Sequence, residues 1–200
     1  KILIIGEVYV DQHLDIIENG YSTWRLGGIF HAVRSCDALN IEYALEYYAP
    51  DYLVKDVEKF GIDVLRASSI FRLGKVDKAP NVMLIGQSDE SGNQLYENIL
   101  GRQAEYVSML PFMQVLDDFD PTDIIIFPGR YGNAGILSNL SNYEGKIHID
   151  MNYDCDDILD LDTIKIQTVF LSTSSTSFEE FFKEISYDNL IKYLFERYPY

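Results

Sequence analysis

The chain has 200 residues, 47% of them hydrophobic, which is enough for a single domain with a sizeable core. Its 32 acidic and 16 basic residues give a formal net charge of −16, which disfavours binding to nucleic acids and to anionic membrane surfaces. A nucleotide or a sugar phosphate remains compatible with this charge, because a helix N-terminus can bind an anion locally.

The cysteine pattern and the hydropathy further limit the classes of protein to which this chain could belong. Cys36 and Cys155 lie far apart and match neither a disulfide framework nor a zinc-ligand spacing, which favours a reducing, cytoplasmic setting. No apolar stretch reaches the length of a bilayer span, and the opening apolar run lacks the cleavage site of a signal peptide. We therefore expect neither a membrane nor a nucleic acid among the partners.

The first part of the chain predicts a strand, a loop and a helix. Residues 1–10 form a β-branched apolar run typical of a strand buried on both faces, and Asp11 falls at its carboxyl end. A polar loop follows. Gly27-Gly28 then precedes apolar residues at helical spacing over 29–39, which places the glycine pair at a helix N-terminus.

The next segments predict one more β-α pair and then a change of pattern. Residues 42–48 read as a strand and 51–60 as a helix closed by Gly61 in a left-handed cap. Three strand-like runs follow at 69–73, 81–86 and 94–100, the last two joined by a turn-rich segment. We expect an antiparallel, lid-like insert within about 68–107.

The α/β alternation resumes in the second half. Helices are predicted at 109–116, 134–140 and 178–195, and strands at 123–127, 146–149 and 168–171. Alternating strands and helices indicate right-handed crossovers. The predicted fold is α/β, with a mostly parallel doubly wound sheet, helices on both faces and a small antiparallel β lid.

Polar residues at the carboxyl ends of the strands are the first candidates for a site, because ligands of open α/β sheets bind at that edge. Asp11, Arg130, Asp150 and Asn152 meet this condition. Each one taken alone could equally cap a turn or a helix. The acidic segment 150–162 lacks the glycine and the terminal glutamate of an EF-hand loop, so its carboxylates are better read as a solvated helix start.

The order of these motifs resembles that of the ribokinase-like (PfkB-type) carbohydrate kinases. The sequence Ile-Ile-Gly6-Glu-Val-Tyr-Val-Asp11 precedes Gly27-Gly28 at a helix start, and a two-stranded insert follows near residues 86–92. The resemblance covers essentially the whole chain as one incomplete domain, the N-terminal portion of the family's fold. It implies ATP-dependent phosphorylation of a sugar, or of a related polyol or nucleoside, with Mg²⁺ as the second cofactor.

The resemblance also implies roles for particular residues. Asp11 would accept hydrogen bonds from sugar hydroxyls, and Gly27-Gly28 would let the backbone approach the sugar. Family members place an asparagine where this chain has Ala32, so His31 is a candidate replacement donor, and Arg130 is a candidate third contact. Apolar positions on the lid-like strands predict that these strands cover either the site or the partner subunit of a homodimer; they are Met83, Ile85, Tyr96 and Ile99.

Two departures from the family pattern limit the expected activity. The family's Asn-x-x-Glu element is replaced by a serine- and threonine-rich stretch before Glu179 and Glu180, and its Gly-Ala-Gly-Asp motif has no counterpart before Tyr200. That motif supplies the catalytic base and an anion hole, so this chain alone should be inactive. The alternatives are a catalytically inactive sugar- or metabolite-binding module and an unrelated doubly wound nucleotide-binding protein.

Overall fold

A computed structural model of the chain describes residues 1–18, 21–88, 94–108, 113–127, 129, 131, 136, 139–151, 166–171, 186, 188, 189, 192 and 196. The strands in this part of the chain are β1 (Ile2–Glu7), β2 (Val10–Glu18), β3 (Tyr21–Leu26), β4 (Tyr43–Ala49), β5 (Ser69–Asp77), β6 (Val82–Ser88), β7 (Gln94–Asn98), β8 (Glu105–Ser108), β9 (Asp123–Ile126), β10 (Lys146–Met151) and β11 (Ile166–Leu171). The α-helices are α1 (Phe30–Ala38), α2 (Val54–Lys59) and α3 (Met113–Phe119).

The larger of two sheets has the strand order β11-β10-β9-β1-β4-β5-β8. Its strands are parallel except β8, which pairs antiparallel with β5. The apolar run at the start of the chain forms the central strand β1, with Leu3, Ile4 and Ile5 fully buried. A strand flanked on both sides and covered on both faces needs apolar residues at successive positions, which is the pattern that the sequence shows.

Helices cover both faces of this sheet. Side chains of α1 and α2, including Phe30, Val33 and Val57, pack on the face that contains Ile4. Phe119 of α3 packs with Leu3 and Ile5 on the opposite face. The predicted α/β class, with a mostly parallel sheet between helices, is therefore confirmed.

The second sheet is smaller and has the order β3-β2-β6-β7. The β2–β3 and β6–β7 pairs are antiparallel, whereas β2 and β6 run parallel. Residues 12–26, predicted as a polar loop, thus supply half of this sheet. The prediction of an antiparallel strand at 69–73 was wrong, because β5 extends the parallel sheet beside β4. Only β6 and β7 of the predicted insert belong to the small sheet.

The segment after β4 also differs from its prediction. It comprises a 3₁₀ turn (Asp51–Leu53), α2, and a π-helical turn (Phe60–Val64) that continues past Gly61. The predicted left-handed cap at Gly61 was wrong, since among the described glycines only Gly28 has a positive φ. A Cβ at Gly61 would lie 2.3 Å from Ile70 Cδ1, so this glycine lies directly against a side chain of β5.

Predictions for the second half of the chain were partly met. The helix predicted at 109–116 overlaps α3, and its residues 109–112 lie outside the described residues. Strands β9, β10 and β11 occupy the three predicted strand positions. Most of the helices predicted at 134–140 and 178–195 lies outside the described residues. No helix in the described part of the chain is both long enough and apolar enough to span a membrane.

Candidate functional site

Asp11 lies at the junction of the two sheets. Strand β1 ends at Glu7, and after two residues Val10 begins β2, so Asp11 is the second residue of the small sheet and not the end of β1 as predicted. Asp11 pairs with Arg25 across β2 and β3. Asp11 is only 4% exposed, so its carboxylate is buried at this junction.

The glycine pair packs directly against this carboxylate and against the end of β1. A Cβ at Gly27 would lie 2.0 Å from Asp11 Oδ1, and a Cβ at Gly28 would lie 2.2 Å from the carbonyl oxygen of Glu7. Gly28 also has φ +60, which only glycine adopts without strain. The Gly27 amide donates to Tyr9 O at 2.8 Å, which fixes the turn into α1. The predicted approach of Gly27-Gly28 to Asp11 is therefore present in the structure.

Two half-exposed cationic or potentially cationic side chains surround the Asp11 carboxylate. His31, in the first turn of α1, places Nε2 2.9 Å from Asp11 Oδ2. Arg25 places Nε 3.7 Å from the same oxygen. The exposed fractions of these two side chains are 53% and 49%, so a ligand arriving from solvent can reach the groups that contact Asp11.

A second buried carboxylate at this junction was not among the predicted site residues. Glu7, the last residue of β1, is 4% exposed, and its Oε2 accepts a hydrogen bond from Asn81 Nδ2 at 3.4 Å. Asn81 also donates to Val8 O at 3.2 Å, and its carbonyl accepts from Val10 N at 2.8 Å. Asn81 thus ties the link between the sheets to the start of β6. An acidic residue at the end of an otherwise apolar run was the sequence signal for Glu7.

The remaining predicted site residues are not brought to Asp11 by the described structure. Asp150 lies near the end of β10, which β9 separates from β1, and burial raises the pKa of its carboxyl. Two strand spacings correspond to about 10 Å. Arg130 and Asn152 lie outside the described residues. Among the described residues, no group of three His, Cys, Asp or Glu side chains is placed to hold a metal ion.

Comparison with solved structures places this arrangement in a known fold. The chain superposes on a PfkB family carbohydrate kinase from Listeria grayi with a TM-score of 0.59 at 13% identity, covering 99% of this chain and 68% of that one. It superposes on a putative phosphofructokinase from Staphylococcus aureus with a TM-score of 0.57 at 14% identity, covering 98% and 67%. The chain has the ribokinase-like fold.

The ribokinase-like fold is matched over only part of its length. The ribokinase of Giardia lamblia gives a TM-score of 0.55 at 14% identity, covering 80% of this chain and 56% of the ribokinase. The structure named Sa239 is covered to 59%, so the chain spans less than two thirds of several proteins that it matches. No protein-family model and no curated protein sequence matches the chain. The partial coverage fits an N-terminal portion of the fold.

Proposed function

We propose that this chain supplies the sugar-binding portion of an ATP-dependent carbohydrate kinase, with Asp11 as the group that recognises sugar hydroxyls. The observation that carries the proposal is the buried Asp11 carboxylate packed against Gly27-Gly28, at the junction of the two sheets of a ribokinase-like fold. A sugar, or a related polyol or nucleoside, is the proposed substrate.

The chemistry of the site suits a neutral ligand rich in hydroxyl groups. A carboxylate only accepts hydrogen bonds, and a hydroxyl both donates and accepts. Asp11 Oδ2 would accept from one sugar hydroxyl, while His31 Nε2 or the Arg25 guanidinium, now beside that oxygen, would donate to a neighbouring hydroxyl. A sugar that displaced His31 and Arg25 from Asp11 would offer hydroxyl groups to all three side chains, so few polar contacts would be lost on binding. Arg130 remains a proposed third contact.

ATP and Mg²⁺ are proposed from the fold, and the described residues bring together no ligand set for Mg²⁺. Because the family's Gly-Ala-Gly-Asp motif has no counterpart in these 200 residues, we expect them to be inactive by themselves. The proposed setting is the cytoplasm. Pairing of two subunits through the small sheet, where Tyr96 is 63% exposed, is the proposed oligomeric contact.

Calorimetric titration with a panel of monosaccharides, polyols and nucleosides tests the proposal. Replacement of Asp11 by Ala should weaken binding of the preferred ligand about tenfold or more, because a hydrogen bond to a charged acceptor contributes roughly 1.5–3 kcal/mol. Asp37→Ala is the matched control. Asp37 pairs with Arg66 and lies near the C-terminal end of α1, whereas the glycine pair precedes its N-terminal end. Unchanged affinity in the Asp11 variant would contradict the proposal.

The second candidate is a sugar-binding module without kinase activity, favoured by Ala32 in the position of the family's asparagine. Both candidates predict sugar binding, so phosphorylation decides between them. The gene beyond Tyr200 should encode a glycine-rich turn with an aspartate at a helix start if the protein is a kinase. A stop codon there, together with retained sugar binding, would favour the binding module.

A further inference from the structure

A pocket of about 330 Å³ lies beside the small sheet, between β3, α1 and the segment formed by α2 and the following π-helical turn. Its lining residues are Trp24, Arg25, Leu26, Arg34, Asp56, Lys59, Phe60 and Val64. Small-molecule sites have volumes of about 300–1,000 Å³, so this one suits a compact ligand. Of the groups around Asp11, only Arg25 lines it.

The charge of the lining is opposite to that of the whole protein. Arg25, Arg34 and Lys59 face a single acidic residue, Asp56, in a chain with a formal net charge of −16. Neither Arg34 nor Lys59 forms an ion pair with any side chain in the described part of the chain. Arg25 pairs with Asp11, so Arg34 and Lys59 are the cations of the lining that form no ion pair among the described residues.

Arg34 is fixed in this lining by the backbone. Its guanidinium donates to Leu26 O at 2.6 Å and to Phe30 O at 3.1 Å, and it lies 6.0 Å from the centre of the Phe60 ring. Burial, followed by the nearby positive charge of Arg25, lowers the pKa of Arg34. The negative charge of Asp11 acts in the opposite direction and is the smallest of the three effects, so a phosphate bound at Arg34 would further favour the charged guanidinium.

The other walls are apolar and partly open to solvent. Trp24 is 57% exposed and Val64 is 54% exposed, whereas Leu26 is buried. An aromatic or aliphatic group lying on Trp24 and Phe60 would remove this surface from water. The pocket thus combines a cationic end with an apolar wall.

We propose that this pocket is a second binding site, separate from Asp11, for a small phosphate ester. The phosphate binds Arg34 and Lys59, and the organic group packs on Trp24. Guanidinium groups match the geometry of phosphate oxygens, which favours a phosphate over a halide or another spherical anion. The site does not require sugar binding at Asp11, so either proposal can fail without the other.

Phenyl phosphate is a suitable probe because it carries both groups, and Trp24 is the only tryptophan of the chain. Titration of the 200-residue chain should change the Trp24 emission saturably, and calorimetry should give the same affinity. Phenol and inorganic phosphate, each with half of the proposed ligand, should bind at least about tenfold more weakly, since each loses one set of contacts. Absence of saturable phenyl phosphate binding by both methods would overturn the proposal.

Variants locate the binding. Lys59→Ala should weaken phenyl phosphate about threefold to tenfold, as expected for one charge-assisted contact near the surface. Asp56→Asn should strengthen it, because the only acidic residue of the lining is neutralised. Lys55→Ala is the control, since Lys55 is an exposed lysine of α2 that does not line the pocket. Equal effects of Lys59→Ala and Lys55→Ala would show general charge attraction and overturn the site, and circular dichroism checks that each variant is folded.

Discussion

Glu46 and Asp11 carry almost fully buried carboxyl groups that lie in different regions of this molecule and have different surroundings. Glu46 lies in β4 and is 1% exposed, and its Oε2 has no hydrogen-bond partner among the described residues. It shares a face of the strand with Ala44 and Tyr48, which belong to the apolar core. Asp11 is 4% exposed at the junction of the sheets; its Oδ2 also has no hydrogen-bond partner among the described residues, but it lies 2.9 Å from His31 Nε2 and 3.7 Å from Arg25 Nε.

The comparison of Glu46 with Asp11 shows how a carboxyl group buried in an apolar core differs from one buried in a candidate binding site. Burial raises the pKa of Glu46 to about 8, so this group is mostly protonated at neutral pH and contributes no charge to the core. Asp11 is covered by glycine backbone on one side and by half-exposed donors on the other. Two equally buried acids therefore differ in what a ligand could gain from them, and only Asp11 offers accepting oxygens next to solvent-accessible donors.

The largest expected effect concerns Glu46. Its folded-state pKa of about 8 lies above the ordinary value of 4.5, so the folded protein binds a proton that the unfolded chain releases between these pH values. Stability should fall as pH rises through this window and level off above it. Glu46→Gln should remove this slope and stabilise the protein by a few kcal/mol above the window, on the order expected for a shift of this size.

Urea denaturation across this pH range measures the effect. Glu58→Gln provides the control, because Glu58 is an exposed residue of α2 and should leave the slope unchanged. A Glu46→Gln protein that keeps the wild-type pH slope would show that Glu46 is already ionised in the core, and the contrast with Asp11 would disappear.

The next effect tests the rigidity of the junction. Gly28→Ala should destabilise the protein by about 2–4 kcal/mol, because a left-handed φ is strained for alanine and the new Cβ meets a backbone oxygen. Gly61→Ala should change the free energy of unfolding by less than about 1 kcal/mol, since the new Cβ would meet only the end of the Ile70 side chain. Thermal and chemical denaturation of both variants compare the two regions directly. Equal losses would mean that the junction is no more constrained than the core.

A smaller change in stability, of opposite sign, is expected for the other buried carboxylate, Asp11. Asp11→Asn should destabilise the protein by about 0.5–1 kcal/mol, because contacts with two half-exposed donors are weakened and solvent screens such pairs. Glu46→Gln makes the same chemical change and should stabilise. Chemical denaturation of the two variants in one buffer gives both signs. A gain in stability for Asp11→Asn would place Asp11 in the same class as Glu46.

The smallest effect is the coupling between Asp11 and His31. A double-mutant cycle of Asp11→Asn and His31→Gln should give a coupling free energy of about 0.2–1 kcal/mol, as measured for other partly exposed pairs. The cycle excludes effects that either change has on the rest of the fold. Additive single and double variants would indicate that the 2.9 Å contact is not maintained in solution.

The sequence predicted the main sheet because each of its buried strands is an apolar run whose length and position can be read directly. It did not predict where β1 ends, because Val8-Tyr9 carries no glycine or proline to mark the change of sheet. It also could not assign β5 to a sheet, since periodicity gives the face that a strand buries and not the strand with which it pairs. Strand β2 was predicted as a loop because its polar residues interrupt any apolar run. Such residues are typical of a strand with one solvated face.

The sequence identified several residues of the candidate site, but it gave less information about the geometry of the site. Asp11 and Gly27-Gly28 were identified from their order along the chain, and the turn after β3 brings them together. The cover over Asp11 depends on Arg25, whose position follows from the pairing of β2 with β3. Glu7 and Asn81 meet only because β6 pairs with β2, a contact between segments far apart in sequence that no local pattern reveals.

The parallel pairing of β2 with β6 has a consequence for how the protein folds. Val10 faces Val82 in this pair, so the small sheet cannot form until the whole of β4, α2 and β5 has been synthesised and has brought β6 back to β2. Pairings between such distant segments form slowly, because the entropy of loop closure opposes them until late in folding. The β2–β3 hairpin must therefore form without β6, and the hydrogen bond of Asn81 to Glu7, which links the two sheets, can form only after β6 has returned to β2.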